Sequence, residues 1–287
     1  MSKTLVITDT CSDLTGNATA GFDIEILSTT CRINSKRYSE NIDFINKNFY
    51  VLMDDRSQIE SFKIRPSVYL ERFTNAEKDG YRNVIVITIF SNLASMYDSA
   101  VEAKQMYEKY NPDSKLKIAV IDSLTQSIGT GYLALYAAKV AKKTRDIEEI
   151  VRLCEEFKKS ITLLVDSFMI KNLPVSGPFE WFEKTVNSIA KSFPSIIMKE
   201  GKPEELPIEK IDHTAFDQFY NFCKDEITKG DKKYAVGFAV REKEAQALSL
   251  LLEKETSIKP DFIYYEGAFS SYFNSRASII VCICDKF

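Results

Sequence analysis

Two aspartates in TDTCSDL, Asp9 and Asp13, lie just after an apolar run near the start of the chain. A carboxylate there could act as a phosphoryl-accepting nucleophile. That chemistry calls for a second carboxylate two residues on, to hold a divalent cation and move protons, and position 11 is Cys11. The pattern suits Asp9 and Thr10 tying down a turn and capping the next segment. A second such place is VIDSLTQSIGTGY, which sets Asp122 and Ser123 at another strand end. It lacks the G-x-S-x-G elbow, and its G-T-G matches neither a phosphate loop nor the dinucleotide fingerprint. The expectation is a solvated start to a helix, capped by Ser123 or Ser127. The third place is FSNLASM, between NVIVITI and a helical stretch. Turns at that point of an α/β protein usually carry glycines, so that backbone N–H groups can approach an anion. This one has none, and it sets Phe90, Leu93, Ala94 and Met96 around Ser91, Asn92 and Ser95.

Metal and triad chemistry find little material. His213 is the single histidine, so a histidine-based metal site or a Ser-His-Asp triad has almost nothing to draw on. Cys11, Cys31, Cys154, Cys223, Cys282 and Cys284 form no C-x-x-C pair and read as reduced and mostly buried. Cys282 and Cys284 alternate in ASIIVCIC, on one face of a strand, as core residues. The net charge of −3 over 287 residues gives no general pull on nucleic acid or an anionic membrane. No apolar run reaches the roughly 20 residues that span a bilayer, and MSKTLVITDT opens on a strand rather than a signal peptide. A cytoplasmic protein is expected.

These groups need a scaffold. Strands are expected at KTLVIT, DIEILSTT, NVIVITIF and KLKIAVI, rich in β-branched residues and bounded by turn formers. Helices are expected near Asn46 to Met53, Pro66 to Lys78, Leu93 to Tyr110 and Ile128 to Lys143. The alternation implies an α/β fold, with a mostly parallel sheet carrying helices on both faces in a first domain, residues 1–160. TRDIEEIVRLCEEFKKS is an amphipathic helix bridging the halves. Beyond it, residues 161–287 read as a mixed α/β domain. Its strands are ITLLVDSF, SIIMKEGKPEE with a glycine hairpin turn, KKYAVGFAV, DFIYYE and ASIIVCIC. Its helices lie near Glu180 to Lys191, Thr214 to Thr228 and Glu242 to Glu255, and PVSGP at Pro174 to Pro178 is the clearest loop.

In order and spacing these landmarks resemble the DegV family of bacterial fatty acid-binding proteins over nearly the whole chain. LVITDTCSDLT is similar to that family's opening strand and T-D-S-x-x-D-L, and YSENIDFINKNFYVLM to its hairpin and helix. KIRPSVYLERF resembles the T-S-Q-P-S loop and helix, and VIVITIFSNLASMYDSA the S-S-x-L-S-G-T-Y-x-S-A element. VIDSLTQSIGTGYLALYAAKVAK carries the D-S-x-x-x-S-x-G-x-G pattern.

The resemblance implies a two-domain, non-catalytic lipid-binding or carrier protein with an acyl chain held between its domains. It implies a long-chain fatty acid or related lipid as ligand, no cofactor and, in some members, a kinase partner that phosphorylates the acid. Ser91 falls at the head-group serine, Lys63 stands in the head-group threonine's place, and Glu266 lies near the usual late histidine. Ile64, Arg65, Phe90, Asn92, Leu93, Ser95, Phe168, Ile170, Ala268 and Phe269 are the implied lining. MIKNLPVSGPFE departs from the L-R-K-G-G-R stretch, and KIDHTAFDQ keeps only Lys210 of the basic V-R-T-R-K-K-A segment. Both losses weigh against kinase-dependent acyl transfer. Two alternatives stay open: a filled pocket serving protein interaction, and a hydrolase or transferase using Asp9, Asp122 or Ser123.

Overall fold

The computed structural model describes residues 3–14, 16–39, 59–167, 195–206, 215–238, 241–264 and 278–287. Its first sheet is built from β1 (Lys3–Asp9), β2 (Ile24–Leu27), β6 (Tyr81–Thr88) and β7 (Lys117–Asp122). These four strands are parallel, in the order β2-β1-β6-β7. A single turn, α1 (Gly16–Thr19), lies between the first two strands. Helices α2 (Pro66–Lys78) and α3 (Met96–Tyr110) cover one face, and α4 (Ile128–Ala141) and α5 (Ile147–Phe157) the other. The strands split their side chains cleanly. Leu5, Ile7, Val84 and Val86 pack beneath α2 and α3, while Val6, Ile85 and Ile87 face α4. This is the fully buried parallel sheet that the uninterrupted apolar runs require.

The second sheet is built from β8 (Thr162–Ser167), β9 (Ser195–Lys199), β10 (Lys202–Glu205), β11 (Lys232–Phe238), β12 (Asp261–Tyr264) and β13 (Ser278–Asp285). Their order is β10-β9-β8-β13-β11-β12. Only β11 and β12 run parallel; the other pairs are antiparallel. The central strand β13 turns Ile279, Val281 and Ile283 toward α6 (Ala215–Ile227) and α7 (Glu242–Thr256). Its Ile280, Cys282 and Cys284 point the other way, into the cluster around α4. One helical layer is therefore shared by two sheets. All six cysteines are free and buried.

Because α4 lies between sheets, it is apolar nearly all round, and its G-T-G is a packing device. A β-carbon on Gly131 would stand 2.5 Å from the Ser12 carbonyl oxygen. One on Gly129 would stand 2.5 Å from Thr125 Oγ1 and 3.2 Å from Ile161 Cγ2, at the approach to β8. Between them Thr130 Oγ1 meets Ser123 Oγ at 3.0 Å.

Some boundaries differ from expectation. DIEILSTT divides into β2 and a separate β3 (Thr30–Ile33), which pairs with β4 (Lys36–Ser39) and β5 (Ile59–Phe62) in a small antiparallel sheet. The chain leaves the first sheet at Thr29, whose N–H donates to Thr10 Oγ1. The hairpin at KEGKP forms as expected, with Glu200 (φ 47°) and Gly201 (φ 73°) both left-handed, as a two-residue turn of this hand requires. The expected helices at Asn46 to Met53 and Glu180 to Lys191, the PVSGP loop, Lys210 and His213 lie outside the described residues.

Gly131→Ala drives a methyl into a backbone carbonyl. It is expected to cost about 1–3 kcal/mol in urea unfolding, whereas Gly16→Ala, in open space, stays within about 0.5 kcal/mol. Equal stability of the two variants would contradict the shared-layer packing. Burial also pushes the thiols of Cys154 and Cys284 up to about 12 from 9.0. The unfolded chain then releases these protons from about pH 9 while the folded chain keeps them. This stabilisation is fully present below that pH and is lost as pH rises toward 12. The urea midpoint should hold between about pH 7 and 8 and fall by about pH 10; a flat profile through that range argues against neutral buried thiols.

Candidate functional site

Three loops leave the carboxyl ends of β1, β6 and β7. In the first, Asp9 Oδ1 accepts the Cys11 N–H at 2.8 Å, and Thr10 Oγ1 meets Thr29 Oγ1 at 2.6 Å. Both residues tie down the turn, as their types suggested. In the third, the expected solvated helix start is instead buried: Ser123 is 1% exposed and Ser127 0%. Neither hydroxyl caps α4. Ser127 Oγ donates to Asp13 Oδ2 at 2.5 Å, and Ser123 Oγ donates to the Thr125 carbonyl at 3.1 Å. A helix that begins between two sheets has no water at its start, so Ser123 and Ser127 find their partners within the protein. Asp13 (φ 51°), Leu124 (φ 55°) and Ser127 (φ 55°) are left-handed, and the Asp13–Ser127 bond joins two of these bends.

The middle loop carries Ser91. The Phe90 N–H donates to the Thr125 carbonyl at 2.8 Å, and the Phe90 carbonyl accepts the N–H groups of Leu93 and Ala94. That closed turn delays helix α3 to Met96, three residues later than the apolar spacing suggested. The Ser91 N–H points at the Asp122 carboxylate, 3.2 Å from each oxygen, and Asp122 Oδ1 also accepts the Leu124 N–H at 3.0 Å. The amide that a glycine loop would offer to a phosphate is held here by an internal carboxylate. Asp122 is thereby spent on loop geometry, as is the buried Ser123.

Phe90, Leu93, Ala94 and Met96 are buried in the cluster that draws side chains from both sheets. The Phe90 ring lies under the β9–β10 turn: a β-carbon on Gly201 would stand 2.9 Å from its Cε2 and 3.5 Å from Leu124 Cδ2. Ser91 and Ser95 are half-buried and Asn92 is exposed. The Ser91 hydroxyl has no hydrogen-bond partner among the described residues. Lys63 and Arg65 are exposed on either side of Ile64, without an ion pair among the described residues. Ile64 packs in the cluster beneath α2, across the first sheet from Phe90 and Leu93. Glu266, Phe168, Ile170, Ala268 and Phe269 lie outside the described residues.

Further contacts fasten α4 to the second sheet and the end of β7 to the segment before β8. Tyr132 Oη, on α4, donates to Asp261 Oδ2 of β12 at 2.7 Å. Burial, with the nearby Asp261 charge, raises the Tyr132 pKa far above the ordinary phenol value. Lys233 stands 4.3 Å above the Tyr132 ring and 3.3 Å from Asp261. Lys158 Nζ donates to the Asp122 carbonyl at 3.0 Å. No group of three His, Cys, Asp or Glu among the described residues is placed to hold a metal ion. No described helix is long and apolar enough to cross a membrane. The contacts that sequence reasoning missed, Asp122 on the Ser91 amide and Gly201 on Phe90, join residues 31 and more than 100 positions apart. The glycine turn itself was visible; its partner was not.

A parallel sheet and a mixed sheet stacked on one helical layer, with a hydroxyl-bearing loop at their junction, define an α/β protein whose strand-end loops meet its second large sheet. Residues 3–271 match the model of the DegV family, described as uncharacterised proteins, and the chain belongs to that family. A DegV domain-containing protein of Clostridium perfringens is 31% identical over 169 residues, 56% of this chain and 55% of that protein. The chain spans about half the length of the first curated relatives it matches. Among solved structures, a fat acid (stearic acid)-binding protein from Eubacterium ventriosum superposes with a TM-score of 0.85 at 19% identity, covering 100% of this chain and 99% of that one. DegV from Bacillus subtilis, a fatty acid binding protein, gives 0.84 at 22% identity over the full length of both chains. At these identities the likeness is one of fold.

Ser127 (φ 55°, ψ −137°) supplies a test of the loop architecture. Ser127→Ala removes the bond to Asp13 and is expected to cost about 1.5–3 kcal/mol. Ser127→Gly loses the same bond but relieves the backbone, and should be more stable than the alanine variant by about 1 kcal/mol. Denaturant titration of both would show it, and an alanine variant as stable as the glycine one argues against strain at this bend.

Proposed function

We propose that the chain binds a long-chain fatty acid or related single-chain lipid at the junction of its two sheets, as a cytoplasmic carrier and not a catalyst. On this reading the chain divides near residue 160 into the two domains expected from sequence. The observation that carries the proposal is the Phe90–Ser95 loop: a half-buried serine hydroxyl without a partner among the described residues, set at the edge of an apolar cluster built from both sheets. Its neighbours are large and apolar, its amide is occupied by Asp122, and it offers no phosphate cradle. The fatty acids named for the Eubacterium ventriosum and Bacillus subtilis proteins support the same ligand class.

Energetics divides the work between tail and head. Burial of roughly ten to fourteen methylenes at about 0.8 kcal/mol each gives a gross gain near 10 kcal/mol, of which association and ordering consume a large share. A charged head-group hydrogen bond adds about 1.5–3 kcal/mol. The tail sets affinity, and Ser91 with Lys63 sets orientation and head-group choice. Lys63 in place of a threonine offers a carboxylate a point charge. Asp9, Asp122 and Ser123 are engaged in holding their own loops, which supports a carrier over a hydrolase. The altered segments around Ile170 and Lys210 weigh against a kinase partner.

Native mass spectrometry of the purified protein, with organic extraction, should reveal one bound acyl species, and added fatty acid should raise Tm. Ser91→Ala and Lys63→Ala are each expected to weaken a fatty acid by about tenfold, equivalent to about 1.4 kcal/mol, with little change in unliganded stability. No extracted lipid together with no thermal shift overturns the reading in favour of a filled, interaction-only fold.

A further inference from the structure

Lys158 is buried, its side chain 9% exposed. A charge so placed is costly unless it is paired and hydrogen-bonded. Its ammonium makes two contacts. Glu155 Oε2 stands 2.6 Å away, one turn back on α5, but that carboxylate is 46% exposed, and a pair so open to water is worth little. The other contact reaches away from the helix: Nζ donates to the Asp122 carbonyl at 3.0 Å, across 36 positions of sequence. The same Asp122 holds the N–H groups of Ser91 and Leu124 with its carboxylate. Lys158 therefore stands two contacts from the Ser91 amide. It also sits where the chain passes from one sheet to the other. Helix α5 ends at Phe157, the single turn Lys158–Ser160 follows, and β8 begins at Thr162. Ser160 Oγ accepts the Asp285 N–H of β13 at 3.2 Å. The turn is tied to the end of β7 by its first residue and to the second large sheet by its last.

We propose that Lys158 is a positioning residue for ligand binding: it fixes Asp122, Asp122 fixes the Ser91 turn, and the connection between the sheets thereby sets where Ser91 stands. This rests on the acyl-binding reading above and adds to it a residue that acts through others. A polar group that orients a ligand works only when it is held to within about 0.5 Å by the contacts behind it. Asn92 in the same loop is exposed, so the loop is held from its base, by Thr125 on the Phe90 N–H and by Asp122 on the Ser91 N–H. Removing the ammonium takes a charged donor from the carbonyl of the residue that both ends β7 and carries that carboxylate. Methionine matches the lysine stem but donates nothing, whereas arginine keeps the charge and the donors.

The test has two readouts on each variant. Palmitic acid affinity is measured by competition against a fluorescent fatty acid, and hydrogen exchange of the Ser91 and Leu124 amides by NMR on the unliganded protein. Lys158→Met should weaken the acid by about three- to tenfold and speed exchange at both amides, while amides within α3 keep their protection. Lys158→Gln, which keeps a donor on a shorter stem should the methionine variant fail to fold, should fall between it and the wild type. Lys158→Arg should restore most of both readouts, and Glu155→Gln, which leaves the bond to Asp122 in place, should match the wild type. A folded Lys158→Met with wild-type affinity or wild-type exchange at Ser91 overturns this inference and leaves the carrier reading intact. So does a loss that arginine fails to rescue, or an equal loss in Glu155→Gln. A wild type that takes no fatty acid overturns both.

Discussion

Helix α4 is packed from two sides at once, and the rest of the structure depends on that constraint. A helix with one buried face can tolerate a range of residues; one with a sheet on each side must be small where it approaches each. The G-T-G at 129–131 meets this need, with Gly129 against Thr125 and Ile161 and Gly131 against the Ser12 carbonyl. Apolar residues from both sheets then merge into one cluster around the helix. Because α4 begins inside that cluster, the loops that reach it from β1 and β7 are buried, and Asp13 and Ser127 bond across them. The hydroxyls and carboxylates that looked chemically promising are engaged in this internal network.

Much of the framework was legible. Hydrophobic runs bounded by turn formers located the strands of the two large sheets, and α2 spans Pro66–Lys78 as expected. The alternation in ASIIVCIC also held: Val281 and Ile283 face one helical layer, and Cys282 and Cys284 face the other. The start of α3 was less legible, because apolar spacing cannot tell Leu93 and Met96 in a helix from the same residues in a buried turn. The burial of Ser123 and Ser127 was not legible either. A capping pattern next to a strand end looks the same whether the helix faces water or a second sheet.

The candidate site is a mixture of both cases. Ser91 was singled out by its place after a strand and by the resemblance; it is half-buried, with Phe90, Leu93 and Ala94 buried around it. Asp122 was singled out for acid–base chemistry; in the structure its carboxylate accepts the Ser91 N–H and completes that turn. That internal acceptor explains how a strand-end loop can do without glycine. The contact of Phe90 with Gly201 depends on a packing of two sheets that local pattern does not encode. Ile64, named with Phe90 in the implied lining, packs in the cluster beneath α2, since residues flanking a strand end can be drawn to either face of the sheet.

The central claim is that a ligand tail lies where the two sheets meet across α4, with its head at Ser91. A crystal of the protein grown with a terminally brominated fatty acid tests this directly. The account predicts an anomalous peak inside the junction and a carboxylate within hydrogen-bonding distance of Ser91 Oγ. The bromine elsewhere or absent, with no carboxylate at Ser91 Oγ, would contradict it.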